Sequence, residues 1–199
     1  MKLISISGAS GSGKTTLANL LTTFDTSVIL ISMDNYYLNE KEQIKKNGFC
    51  NFDHPSSFDY ELLIRNIKEL SSIGTTKIPQ YCFEKRDRVG YKTINTQELL
   101  IVEGLYASKL LLAESNMSIY IDIDLDLALI RRIQRDLNHR NRTLESVIKQ
   151  YLDFVRPAYI EYLKDIKLNV TKVIQNNGLE NDLGYIAMKL NKEIGKING

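Results

Sequence analysis

Short apolar runs separated by longer stretches of helical periodicity set the plan of this chain. "KLISIS", "SVILIS", "LLIVEG", "MSIYIDID" and "TKVIQ" are the runs, each rich in β-branched residues. Their alternation with helical patterns predicts βαβ units around a buried parallel sheet. Between the first two runs, residues 14 to 21 carry Leu17, Leu20 and Leu21 at helical spacing, so a helix is expected there. Residues 59 to 70, "DYELLIRNIKEL", read as an amphipathic helix behind an Asp59 cap, with Leu62, Leu63, Ile67 and Leu70 on one face.

Residues 77 to 97 break the alternation. Two strand-like pieces flank a charged turn containing Gly90, which predicts an antiparallel hairpin inserted into the α/β order. Residues 126 to 140 place Leu127, Ile130, Ile133 and Leu137 on one helical face and leave arginines on the others. A second long helix is expected from Thr143, bent or ended by Pro157.

Bulk composition narrows the classes of function. A chain of 199 residues with 43% hydrophobic content buries one sizeable core, so a single domain over 1–199 is expected. Lys plus Arg number 26 against 24 Asp plus Glu, which gives no global positive field to argue for a nucleic-acid partner or an anionic membrane. Cys50 and Cys82 have neither metal-ligand spacing nor a CxxC partner and read as free thiols in a reducing compartment. The segment before Gly8 is too short for a signal peptide's apolar stretch, and no 18-residue apolar run offers a span; a cytoplasmic location is the expectation.

The chemistry begins at "GASGSGKTT", directly behind the first apolar run. Gly8, four residues, Gly13, Lys14 and Thr15 match the phosphate-binding loop pattern, with a strand before and a helix after. Its glycines allow backbone N–H groups to turn around phosphates, Lys14 reaches the outer phosphates, and the Thr15 hydroxyl is placed for magnesium. Gly8, Ala9, Ser10, Gly11, Ser12, Gly13, Lys14, Thr15 and Thr16 are therefore the expected nucleotide-binding residues. Asp34 and Glu103 follow buried strands, and ligands of open parallel sheets bind outside the carboxyl ends of the strands. A carboxylate there binds magnesium, accepts a hydroxyl proton, or only caps a turn. Arg131, Arg132, Arg135, Arg140 and Arg142 form a set that would commonly be a solvated face. Beside a triphosphate it suits clamping phosphates and stabilising transferred charge.

Read in order, "GASGSGKTT", "MDNYY", "NFDHPSSFD", "IPQY", "VEG" and "RRIQRDLNHRNRTLESVIKQYLDFVRP" resemble the uridine-cytidine kinases, the pyrimidine nucleoside kinases of the uridine kinase and phosphoribulokinase group. The resemblance runs from about residue 2 to 175. It implies an α/β fold of the P-loop nucleoside triphosphate hydrolase type, a parallel sheet flanked by helices, with the 77–97 hairpin and a helical lid over 126–145.

By the same resemblance Asp34 is the general base on a nucleoside 5′-hydroxyl, and Thr15 and Glu103 hold Mg2+. Asp53 of "FDHP" accepts hydrogen bonds from ribose, Tyr81 and Phe83 line the base pocket, and Arg132 and Gln150 grip the nucleoside. Arg135, Arg140 and Arg142 belong to the lid. His54 is expected to make structural hydrogen bonds and His139 to face solvent; Tyr36 and Tyr37 are left open between packing and substrate contact.

The departure lies in "YCFEKRDR". The family usually carries Asp after the tyrosine and, five residues after it, a His that contacts the pyrimidine edge. This chain has Cys82 and Arg86. The strand is expected to break before Arg86 and turn it inward, favouring uridine.

The expected activity is transfer of the γ-phosphoryl of ATP, with Mg2+, to uridine or cytidine. Two alternatives stand beside it: a related kinase for another small hydroxyl substrate such as a sugar phosphate, and a nucleotide-binding regulator without turnover. The resemblance also implies a homo-oligomer, with no nucleic-acid or membrane partner.

Overall fold

The computed structural model describes residues 1–178 and 183–197. The expected parallel sheet is present, built of β1 (Lys2–Gly8), β2 (Val28–Ser32), β5 (Leu99–Glu103), β6 (Met117–Asp122) and β7 (Lys172–Gln175) in the order β2-β5-β1-β6-β7, all pairs parallel. Because side chains alternate across a strand, β5 feeds two cores at once. Leu100 and Val102 join Leu3, Ile31, Phe58, Leu63 and Tyr106 on one face. Leu99 and Ile101 join Ile4, Ile6, Leu17, Leu21 and Ile119 on the other.

Helix α1 (Lys14–Phe24) covers the second core together with α8 (Leu183–Ile197), whose Ala187, Leu190 and Ile194 are buried there. Helix α3 (Tyr60–Ser72) covers the first. The Asp59 side chain accepts from Leu62 N at 3.1 Å as the cap, and Leu63, Ile67 and Leu70 are buried as the periodicity predicts. At ~1.5–3 kcal/mol for each buried aliphatic side chain, that stripe and not helix propensity fixes α3.

A 3₁₀ turn, Met33–Tyr36, leads out of β2. The helix after it, α2 (Glu40–Asn47), is short and polar, held by an Asn39 and Glu42 capping box and stopped by Gly48 at φ 79°. A short α4 (Ala107–Leu110) follows β5.

The hairpin comprises β3 (Thr75–Cys82) and β4 (Asp87–Asn95), and its turn falls at 83–86. Gly90 is therefore not in the turn, as the sequence suggested, but within β4 opposite Gln80, beside a bulge between Gln80 and Tyr81. The left-handed position of the turn is filled by Arg86, φ 51°.

Helix α5 (Leu125–His139) differs from its hydrophobic pattern. Ile130 and Leu137 are 51% and 41% exposed, while the buried residues are Ala128, Arg132 and Asp136. A charged pair four residues apart is buried because each supplies the other's counter-charge.

After Thr143, which caps α6 (Leu144–Gln150), the chain neither stops nor breaks at Pro157. It continues through a π-helical turn (Tyr151–Val155), α7 (Arg156–Ala158) and a second π-helical turn (Tyr159–Leu163). The wider winding flanks the proline, where the ring removes one donor from the helical ladder. Among the described residues no helix is long and apolar enough to cross a membrane.

Candidate active site

A cleft of about 1590 Å³ opens at the carboxyl ends of the strands. Its floor is the 8–16 loop. Gly11 and Gly13 adopt φ 89° and 95°, and a Cβ would stand 2.3 Å from the Ala128 carbonyl oxygen at Gly11 and 2.7 Å from Asn176 Nδ2 at Gly13. Only glycine fits either position. The Ser12 N–H turns back onto the Ala9 carbonyl at 3.0 Å, which tightens the loop into a cradle ahead of α1.

Three strand ends then bring the charges together. Glu103, buried at the end of β5, accepts from Thr15 Oγ1 at 3.1 Å and from Ser32 Oγ at 2.6 Å. The Ser32 hydroxyl also receives the Asp34 N–H at 3.4 Å, so it joins the two carboxylate-bearing turns. Burial lifts the Glu103 carboxyl above the usual carboxylate range, with Lys14 opposing. Burial likewise pulls Lys14 below the ordinary lysine value, against the attraction of Glu103 and Asp34. A lysine and two carboxylates so compressed form a site prepared for polyanion and cation together.

The donor atoms here are all hard oxygens, which suits Mg2+. Among the described residues no three His, Cys, Asp or Glu side chains converge to hold a metal by themselves. Mg2+ is commonly held by one or two carboxylates together with substrate phosphates, and Glu103 with the Thr15 hydroxyl offers donors of that kind.

Beyond Asp34 the cleft has a polar pocket. Asp53, 6% exposed, accepts from Gln150 Nε2 at 3.1 Å and faces Arg132 Nη1 at 3.9 Å, and Tyr106 OH donates to its backbone carbonyl at 2.5 Å. Burial raises the Asp53 carboxyl above its ordinary value, with Arg132 and then Gln150 pulling it down. Arg142 Nη1 donates to Gln150 Oε1, so one amide links Arg142 to Asp53.

Next to this pocket is an aromatic wall. Tyr37 stacks on Phe58 with ring centres 4.4 Å apart and lies 5.5 Å from Phe52 and 5.4 Å from Tyr81, while Phe83 is 5.5 Å from Tyr81. Tyr37 thus lines the cleft, whereas Tyr36 is buried and donates to Asn66 Oδ1 at 3.0 Å. The Arg140 guanidinium caps the Phe83 ring at 3.9 Å, a cation–π contact across the mouth. Arg86, exposed at the hairpin turn, lines the rim.

Asp136 was not among the residues the sequence singled out, yet it organises the arginines. Its carboxylate has no exposed surface and lies 2.8 Å from Arg135, 3.7 Å from Arg132, 3.6 Å from Arg140 and 3.9 Å from Arg142. Four guanidinium groups thus meet two carboxylates, Asp136 and Asp53, which leaves excess positive charge at the cleft. Arg135 Nη2 also donates to Ser10 Oγ at 3.3 Å and so ties this set to the cradle.

The hairpin is fastened by partners equally invisible in the sequence. Arg88 Nη2 donates to Asp59 Oδ2 at 3.1 Å and to the Tyr36 carbonyl at 3.2 Å, and Tyr81 N–H donates to Asn35 Oδ1 at 3.2 Å. His54 has the structural role expected of it, bonded through Nδ1 to Ser56 and through Nε2 to Tyr162 OH at 3.1 Å.

The sequence between residues 3 and 183 matches the model of the "Phosphoribulokinase / Uridine kinase family". The chain belongs to this family. Among relatives in the phosphoribulokinase and uridine kinase family, mouse uridine-cytidine kinase-like 1 is 39% identical over 169 residues, covering 81% of this chain. The chain spans about a third of that relative's length, 31%. The uridine kinase of Macrococcus caseolyticus is 39% identical over 191 residues, with 88% of each chain covered. Among solved structures, a phosphoribulokinase from Rhodobacter spheroides superposes with a TM-score of 0.62 at 18% identity, covering 87% of this chain and 69% of that one, a likeness of fold.

Proposed function

We propose that this chain is a nucleoside kinase that transfers the γ-phosphoryl group of ATP to the 5′-hydroxyl of uridine or cytidine. The observation that carries the reading is the continuity of the cleft. One end has the glycine cradle with Lys14, Thr15 and Glu103; the other has Asp53, Gln150 and Arg132 beside an aromatic wall, and Asp34 also lines it. A ribose held by Asp53, with its base against Tyr81 and Phe83, suits the second end better than a sugar phosphate, which has no aromatic base to place against the tyrosine and phenylalanine rings.

In the proposed reaction the nucleoside 5′-oxygen forms a bond to the γ-phosphorus as the bond from that phosphorus to the bridging oxygen of ADP breaks. Asp34 takes the hydroxyl proton. Phosphoryl transfer asks chiefly for positioning and charge neutralisation. Lys14 and the backbone N–H groups of the loop hold the phosphates, and Arg135, Arg140 and Arg142 bear on the transferred charge. Thr15 and Glu103 would hold Mg2+, with Ser32 fixing the Glu103 carboxylate. When bound, the ion neutralises phosphate charge.

A cytoplasmic location belongs to the same reading, in keeping with ATP as donor. So does a homo-oligomer, supported by the exposed row Leu144, Ile148 and Leu152 along one helical face and testable by sedimentation. The deciding experiment incubates the purified chain with Mg2+, ATP and a panel of nucleosides and sugar phosphates. UMP or CMP is the expected product. Bisphosphate from a sugar phosphate alone would support the related-kinase reading, and no turnover on any acceptor would support a regulator.

A further inference from the structure

We infer that Asn176 is a positioning residue for nucleotide binding, holding the Ser12 carbonyl so that the Gly13 N–H is aimed into the phosphate cradle. The inference rests on the reading of the 8–16 loop as that cradle.

Asn176 directly follows β7 and is 2% exposed. Its own N–H donates to the Asp122 carbonyl at 2.9 Å, which extends the β6–β7 ladder by one bond and fixes its backbone to the sheet. From that fixed point Nδ2 donates to the Ser12 carbonyl at 2.7 Å. The Ser12–Gly13 peptide is trans, so its C=O and N–H point in opposite directions. Drawing the Ser12 oxygen outward onto Asn176 therefore turns the Gly13 N–H inward, ahead of the first turn of α1. A helix start with its N–H groups directed to one side is an anion site only while those peptides keep their orientation.

The fit is close on both sides. A Cβ on Gly13 would stand 2.7 Å from Asn176 Nδ2, and φ 95° at Gly13 is the left-handed conformation that the outward carbonyl requires. Removing the amide donor takes away the bond that ties this peptide to the end of β7. A flipped peptide would present a carbonyl oxygen to the phosphates where an N–H had been.

Two substitutions separate donation from packing. Asn176→Leu keeps nearly the same shape without a donor, and Asn176→Ala removes both. In both, affinity for Mg·ATP and for inorganic tripolyphosphate, measured by calorimetry, is expected to fall roughly 10- to 100-fold, the range for losing a buried hydrogen bond that orients a charged ligand. Uridine affinity should stay within about twofold of the parent, because the acceptor pocket does not touch this peptide. In 15N spectra the Gly13 amide should shift on tripolyphosphate addition in the parent and fail to do so in either variant.

Asn176→Leu binding tripolyphosphate like the parent would overturn the inference, as would equal losses of uridine and ATP affinity, which mark general loosening. A parent that binds neither ATP nor tripolyphosphate would overturn the cradle reading and this inference with it.

Discussion

The Arg135 guanidinium lies 2.8 Å from the carboxylate of Asp136, its neighbour in sequence, although Arg135 is a third exposed and Asp136 has no exposed surface. The same carboxylate faces three more arginines within 4 Å. Removing one partner of a buried ion pair typically costs ~3–5 kcal/mol. Here three of the four arginines are 25–34% exposed and can turn to water, so Asp136→Asn should cost less, about 1–3 kcal/mol by chemical denaturation. Turnover should fall by at least about 10-fold as the guanidinium groups lose their common anchor. Mg·ATP should raise the thermal midpoint of the variant by more than that of the parent, since phosphate replaces the missing charge. Unchanged kcat would remove Asp136 from the arginine arrangement.

Asp34 and Lys14 should separate chemistry from binding. Asp34→Asn is expected to keep ATP affinity and lose about 10²–10⁴ in kcat, because an amide cannot accept the hydroxyl proton. Lys14→Ala should weaken ATP binding and transfer together. Calorimetry with ATP beside initial rates decides both, and turnover of Asp34→Asn within a few-fold of the parent excludes it as the base.

The raised Asp53 carboxyl gives a pH signature. Burial, the largest cause, favours its protonated form, with Arg132 and Gln150 opposing. The folded state therefore holds this proton more tightly than the unfolded chain. The stability it contributes is fully present below the unfolded value and is lost as pH rises through the folded one. Ribose hydroxyls prefer the ionised form, which accepts stronger hydrogen bonds. Uridine affinity should thus fall on acidification, starting above the ordinary carboxylate value of about 4. In Asp53→Asn the affinity should be weaker and flat across the same range; a parent profile equally flat would show that Asp53 does not hold the ribose.

Arg86 tests the choice of base. Its turn position and φ 51° follow the end of β3 at Cys82, so the strand does break before it, but the residue stays exposed at the cleft rim and is not turned inward as the sequence suggested. A guanidinium only donates, and uracil O4 accepts where the cytosine N4 amino group donates. Because Arg86 is exposed and an unmatched guanidinium there stays hydrated, the parent should prefer uridine over cytidine in kcat/KM by only about 2- to 5-fold, and Arg86→Ala should erase that preference. The same ratio in both proteins would mean that Arg86 does not read the base.

What the sequence revealed was local, and what it concealed was long-range. The five strands announced themselves because a buried parallel strand is continuously apolar, and the glycine loop because only glycine tolerates φ 89° and 95°. Asp34 and Glu103 followed from being strand ends. Helix α5 misled, because Leu127, Ile130, Ile133 and Leu137 suggested a buried face while the structure buries Arg132 and Asp136. Hydrophobic periodicity counts any charge as outward, and only the four-residue spacing of opposite charges hinted otherwise. Arg88, Ser32 and Asn176 act through partners 29, 71 and 164 residues away, beyond any local pattern. The hairpin turn was misplaced because Gly90 looked like a turn residue, whereas Arg86 took the left-handed position.

The strand order makes the sheet a ruler for this chemistry. Ser32 of β2, Glu103 of β5 and Ile6 of β1 stand side by side in register, so the turn carrying Asp34, the carboxylate Glu103 and the entry to the glycine loop are set one strand apart, at about 4.8 Å per step. That spacing belongs to backbone hydrogen bonding and cannot be adjusted by fractions. Deleting one residue from 99 to 102 would turn Glu103 toward the opposite face, away from Thr15 and Ser32. A length change in any of these three strands would break that frame, and one inside α5 would separate Arg132 and Arg140 from Asp136, whereas the hairpin forms its own two-stranded sheet and stands outside the frame.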